Sequence, residues 1–89
     1  MKVIGVVGAG QMGAGIAQVS AQAGYQVLLS DVDIARASKG KDGIARALGR
    51  LVEKEKITAE ARDAALALIE PVAGSASFAQ ADLVIEAAT

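Results

Sequence analysis

The segment Val3-Ile4-Gly5-Val6-Val7-Gly8-Ala9-Gly10-Gln11-Met12-Gly13-Ala14-Gly15 changes character twice. Five residues, four of them apolar, come first. A glycine-rich turn, Gly8 to Gly13, interrupts them, and a helical pattern runs on from Gly13 to Ala23. Strand, turn and helix in that order are the opening of a βαβ unit, and they predict an α/β fold.

The glycine spacing is G-x-G-x-x-G, and each glycine has a physical task. Gly8 lets the chain turn sharply at the strand end. Gly10, without a Cβ, allows a pyrophosphate to approach the backbone. Gly13 lets the new helix pack tightly on the strand. Free N–H groups and the positive end of the helix dipole then face the phosphates, with Gln11 and Met12 in the same turn. Glycine-rich loops are common, so a second feature is needed. A further apolar run, Tyr25-Gln26-Val27-Leu28-Leu29-Ser30, ends in Asp31. That carboxylate lies about 20 residues past the motif, where it would accept from ribose hydroxyls and repel a 2′-phosphate. The pair predicts a dinucleotide site that favours NAD over NADP. The plainer reading is a tight βα turn and a solvated strand end.

Composition narrows the classes. The chain has 89 residues, enough for one small domain. A net charge of −1 offers nothing to nucleic acid or an acidic membrane. With no cysteine there is no disulfide or thiolate metal site, and with no histidine the commonest general base is missing. No metal site is expected. Met1-Lys2 leads straight into a strand, unlike a targeting peptide, and no apolar run approaches the roughly 20 residues of a membrane span. A soluble, cytoplasmic chain is the expectation.

Along the chain, the first strand is predicted over Lys2–Val7, covered by helices on both faces, with something close to the backbone at Gly5. The first helix is expected over Gln11–Ala23. Met12, Ile16, Val19 and Ala23 form its buried stripe, beside a small-residue row of Gly13, Ala17 and Ser20 suited to close contact with the sheet. By spacing, Met12 reads as core more readily than as a cofactor contact. The second strand is Gln26–Asp31. A long helix, Asp33–Glu55, follows, with Asp33 as N-cap and Ile34, Ala37, Ile44, Leu48, Leu51 and Val52 on one side. Arg36, Lys39, Arg46, Arg50 and Lys54 fall within an arc of about 80° on the other. Such a stripe reads as a solvated face or as a dock for a polyanion. Thr58 caps a third helix that runs to Ile69 and is stopped by Pro71. Val72-Ala73 is a weak strand, and Asp82–Ala87 a clear fourth. The expected sheet order is 3-2-1-4, with a helical hairpin inserted after strand two and a raw edge at strand four that invites self-association.

Four words in this order resemble the N-terminal part of the 3-hydroxyacyl-CoA dehydrogenase family. They are Val6-Val7-Gly8-Ala9-Gly10-Gln11-Met12-Gly13-Ala14-Gly15-Ile16-Ala17, Asp31, Glu53-Lys54-Glu55-Lys56-Ile57-Thr58 and Asp82-Leu83-Val84-Ile85-Glu86-Ala87-Ala88-Thr89. The resemblance covers all 89 residues. It implies NAD-dependent interconversion of (3S)-3-hydroxyacyl-CoA and 3-ketoacyl-CoA. It assigns the glycine loop to the pyrophosphate, Asp31 to the adenosine ribose, Ala87 and Ala88 to the nicotinamide side, and Arg50 and Lys54 to CoA. Relatives carry lysine at the first of the last two positions, and arginine changes the geometry there. The resemblance also implies that residues 1–89 are a partial NAD-binding Rossmann domain. A C-terminal domain, supplying the catalytic histidine, the substrate pocket and a homodimer contact, lies beyond it. Two other readings stand beside this one: a non-catalytic dinucleotide-binding or assembly module, and a dehydrogenase of another β-hydroxyacid.

Overall fold

The computed structural model describes residues 2–74 and 76–87. Four strands, β1 (Val3–Val7), β2 (Gln26–Asp31), β3 (Ile69–Ala73) and β4 (Leu83–Glu86), form one parallel sheet of order β3-β2-β1-β4. The order is the expected one. Helix α1 (Gln11–Gln22) joins β1 to β2, and the hairpin of α2 (Ile34–Glu53) and α3 (Ala59–Ala67) joins β2 to β3. A single 3₁₀ turn, Ala76–Gln80, leads into β4.

Register sets the two faces. Ile4 lies beside Val27 and Val6 beside Leu29, while Ile69 adjoins Val27. These side chains share one face and pack with Ala17, Ala21, Ile44, Leu48 and Ala65 in a single core. All three helices therefore cover the same face. The expectation of helices on both sides of β1 is corrected. Right-handed crossovers that step from β1 to β2 to β3 must stay on one side, and the return to β4 crosses on the other. There the Phe78 ring lies over Gly5, about 3.1 Å from where a β-carbon would stand. Buried Ser30 donates its hydroxyl to the Gly74 carbonyl on that face.

The first helix turns Gly13 and Ala17 of its small row inward as expected, but not its stripe of large residues. Gly13, Ala17 and Ala21 are buried, whereas Met12 and Val19 are 61% and 62% exposed. Ile16 packs at the margin of the core. The helix starts so near the end of β1 that only small residues fit between them, so the large ones point out. Met12 is thus not a core residue.

Asp33 caps α2, accepting from the Arg36 N–H at 2.8 Å, and Thr58 caps α3, accepting from Ala61 at 3.1 Å. Between the helices Glu55 adopts φ 58°, and Glu55 and Lys56 return their N–H groups to the Val52 and Leu51 carbonyls. That closes α2 with a Schellman turn, with glutamate in the left-handed position glycine usually fills. The third helix ends earlier than expected, with Leu68 as its C-cap, and Ile69 already belongs to β3. Pro71 sits inside that strand and not after the helix. An edge strand tolerates a residue with no N–H to donate. Within β4, Leu83 and Val84 are about half exposed, at the edge that was expected to be raw.

Three glycines in α2 cost about 3 kcal/mol together relative to alanine. Burying Ile44 and Leu48, at 1% and 0% exposure, returns roughly 3–6 kcal/mol and wins. The glycines are not equivalent. A β-carbon on Gly40 would stand 2.8 Å from the Ala9 carbonyl oxygen and 2.9 Å from the Ala9 β-carbon, whereas one on Gly49 meets nothing within 4 Å. Gly49→Ala is expected to stabilise the chain by about 0.5–1 kcal/mol, and Gly40→Ala to destabilise it by about 1–3 kcal/mol. Urea midpoints for the two variants check the opposite signs.

Candidate functional site

Strand β1 gives way to Gly8, whose φ is 101° and whose N–H donates to the Ser30 carbonyl at 2.8 Å. The chain turns there and starts α1 from Gly10 as N-cap. Close approach at Gly13 makes this tight. A β-carbon there would stand 1.6 Å from the Gly8 carbonyl oxygen. Gly10 is the opposite case, because around its missing β-carbon there is open space. Its bare backbone faces outward, where the spacing put the approach of a pyrophosphate.

Helix α1 differs from the other two in its cap. No side chain accepts from its first turn, and no acidic residue lies there. Asp33 and Thr58 do this for α2 and α3. The first N–H groups of α1 thus keep their donors and dipole for an anion from outside.

Asp31, at the end of β2, is held beside this turn. One carboxylate oxygen accepts from the Ala9 N–H at 2.9 Å, and the other from the Val32 N–H at 2.7 Å. The Ala9 and Val32 bonds lower its pKa below the ordinary 3.8. Burial opposes them, and nearby Arg36 lowers it a little more. The group is therefore ionised at neutral pH and can only accept hydrogen bonds. Each oxygen retains a lone pair for an outside donor such as a sugar hydroxyl.

Two adjoining cavities open at the carboxyl ends of β1, β2 and β4. The larger, of about 820 Å³, is lined by Gly8, Gly10, Gln11, Met12, Asp31, Arg36 and Ala87 among others. The smaller, of about 440 Å³, runs between α1 and α2 and adds Lys39, Gly40 and Gly43. They share Gly10, Gln11, Asp31 and Arg36. The sheet order reverses at β1, between β2 and β4, and open α/β sheets bind ligands at that reversal. An uncapped helix start, an ionised acceptor near it and a cleft joining them fit the pyrophosphate and ribose of a dinucleotide.

The residues expected at the site divide into three groups. Gly8, Gly10, Gln11, Met12, Asp31 and Ala87 line the larger cavity together, and Gly13 lies under the turn. Ala88 lies outside the described residues. Arg50 and Lys54 stand apart, at the far end of α2, and line neither cavity. The separation from Arg36 to Arg50 is 14 residues, about 21 Å along the helix. Arg50 and Lys54 are exposed and form no ion pair among the described residues. The basic stripe therefore has two ends with different surroundings. Arg36 and Lys39, which the sequence reading left within the stripe, belong to the cleft. Their signal was position: they fall in the first two turns of the helix that follows Asp31.

The family model for the 3-hydroxyacyl-CoA dehydrogenase NAD binding domain matches residues 3–89. A 3-hydroxyadipyl-CoA dehydrogenase of Escherichia coli is 43% identical over 89 residues, 100% of this chain and 19% of its own. A 3-hydroxybutyryl-CoA dehydrogenase of Bradyrhizobium diazoefficiens is 46% identical over 88 residues, 99% of this chain and 30% of its own. The crystal structure of an (S)-3-hydroxybutyryl-CoA dehydrogenase from Ralstonia eutropha superposes with a TM-score of 0.95 at 42% identity, covering 100% of this chain and 31% of that one. The chain thus spans less than a third of the length of these relatives.

Two outcomes follow from the geometry. Gly13→Ala forces the turn or the helix to shift, and is expected to cost about 3 kcal/mol or more, read as a lower urea midpoint. Asp31 has a folded pKa below its unfolded one, so its contribution to stability is complete above about pH 4 and drains as pH falls through the lowered value. Urea midpoints measured from pH 6 down to about pH 2 should fall less steeply in Asp31→Asn than in the wild type.

Proposed function

Since the chain belongs to the 3-hydroxyacyl-CoA dehydrogenase family, as its NAD-binding domain, we propose that it holds NAD for an enzyme that interconverts (3S)-3-hydroxyacyl-CoA and 3-ketoacyl-CoA. The observation that carries this is the pairing of ionised Asp31 with the uncapped start of α1, across one cleft. Gly8, Gly10, Gln11, Met12 and Gly13 form the pyrophosphate turn. Asp31 accepts from the adenosine ribose. Ala87 and Ala88, after β4, flank the nicotinamide end. NAD, when bound, supplies the hydride acceptor.

Removing hydride from a hydroxyl carbon needs a base for the hydroxyl proton. This chain has no histidine, and Asp31, its cleft-lining carboxylate, is occupied at the adenosine end. The base and the acyl pocket are therefore assigned to the remaining length that the relatives have. The relatives' names point to acyl-CoA as the substrate class. Arg50 and Lys54, exposed and free of ion pairs among the described residues, are the proposed CoA contacts. Guanidinium and ammonium groups both suit phosphates, the first as a planar fork.

Calorimetric titration of the 89-residue chain with NADH, NADPH and CoA tests both halves. NADH should bind at least about tenfold more tightly than NADPH, and Asp31→Ala should lose most of that NADH affinity. Arg50→Ala with Lys54→Ala should weaken CoA about tenfold, more at low salt than at high, and leave NADH unchanged. Absence of NADH binding in a sample folded by circular dichroism overturns the cofactor reading. CoA affinity indifferent to the double variant overturns the contact assignment.

A further inference from the structure

The smaller cavity contains charges that a plain NAD site does not need. Arg36 and Lys39 line it beside Asp31, and Arg36 also reaches the larger cavity, where it is the one cationic lining residue among those described. Arg36 stands in the first turn of α2, its backbone N–H bound to the Asp33 carboxylate. Its guanidinium is only loosely engaged. Nε lies 4.0 Å from the other Asp33 oxygen, and the side chain is 68% exposed. An exposed pair at that distance holds weakly, so the fork is free to turn toward a better anion.

On the dinucleotide reading Asp31 meets the ribose 2′-substituent, and its two backbone hydrogen bonds fix it at the end of β2. Its negative charge excludes a 2′-phosphate. Without that charge the same corner would present Arg36, with Lys39 behind it, to a phosphate whose geometry a guanidinium matches with two parallel hydrogen bonds. We propose that Arg36 is a latent anchor for a nucleotide 2′-phosphate, silenced by Asp31, so that cofactor choice at this site rests on one carboxylate charge. The inference rests on the dinucleotide reading above and adds a specificity-determining residue to it.

The test compares NADH and NADPH titrations of the wild-type chain, Asp31→Asn, and Asp31→Asn with Arg36→Ala, each checked for fold by circular dichroism. Asparagine keeps the carboxylate's shape and one acceptor for the turn. Asp31→Ser is the second variant should the first fail to fold. Neutralising Asp31 is expected to raise NADPH affinity at least about tenfold, and Arg36→Ala in that background to remove most of the gain. The gain should also shrink as salt rises. A neutral variant that gains no NADPH affinity, or a gain that survives Arg36→Ala, overturns the anchor while leaving wild-type NADH binding, and so the cofactor site, intact. Failure of the wild type to bind NADH overturns the cofactor reading and the anchor with it.

Discussion

Helix α1 begins so close to the end of β1 that one extra carbon at position 13 would overlap the Gly8 carbonyl oxygen. Much else in the fold answers to that contact. It limits the helix face toward the sheet to Gly13, Ala17 and Ala21, and it turns Met12 outward to the cleft. It also brings the uncapped helix start down onto the carboxyl ends of the strands, where the sheet order reverses. A larger residue at position 13 would relieve the contact by lifting the helix, and the donors would no longer point where β2 ends.

Asp31 ties the two halves of the site together. The carboxylate belongs to β2 but bonds the backbone of the turn after β1. Ala9 is also touched from the other side, by Gly40 of α2. The turn is therefore held between a hydrogen bond and a close packing contact, and both come from segments more than twenty residues away in sequence. The same hydrogen bonds that orient Asp31 keep it ionised. Positioning and chemistry arise from one arrangement: an acceptor that stays charged, aimed beside a helix start that favours anions.

The basic face of α2 divides by surroundings more than by composition. At its start, Arg36 and Lys39 share a cleft with Asp31. Near its end, Arg50 and Lys54 face solvent without ion-pair partners among the described residues. A long helix can serve two anions in this way, because about 16 Å of helix separates Lys39 from Arg50, beyond the reach of screened surface charges on one another.

Much of this was legible in the residues. The glycine spacing, the apolar runs and the acid at the end of the second run are local, and they were enough for the turn, the first two strands, the sheet order and Asp31. Asp33 and Thr58 announced helix starts, because a capping side chain acts within three residues of itself. The misreadings were all questions of what lies opposite. Periodicity gave α1 a buried stripe of large residues beside its small row, but depth at Gly13 left room for the small row alone. Pro71 looked like a helix stop, but pairing with β2 made it part of an edge strand. Both faces of β1 are apolar, yet the handedness of the crossovers put every helix on one of them. The division of the basic stripe likewise depends on which loop packs beside each turn of α2. Hydrogen bonding and capping act over a few residues, so sequence records them. Distances between segments arise only when the chain closes on itself, and they alone packed Gly40 against Ala9 and paired Pro71 with β2.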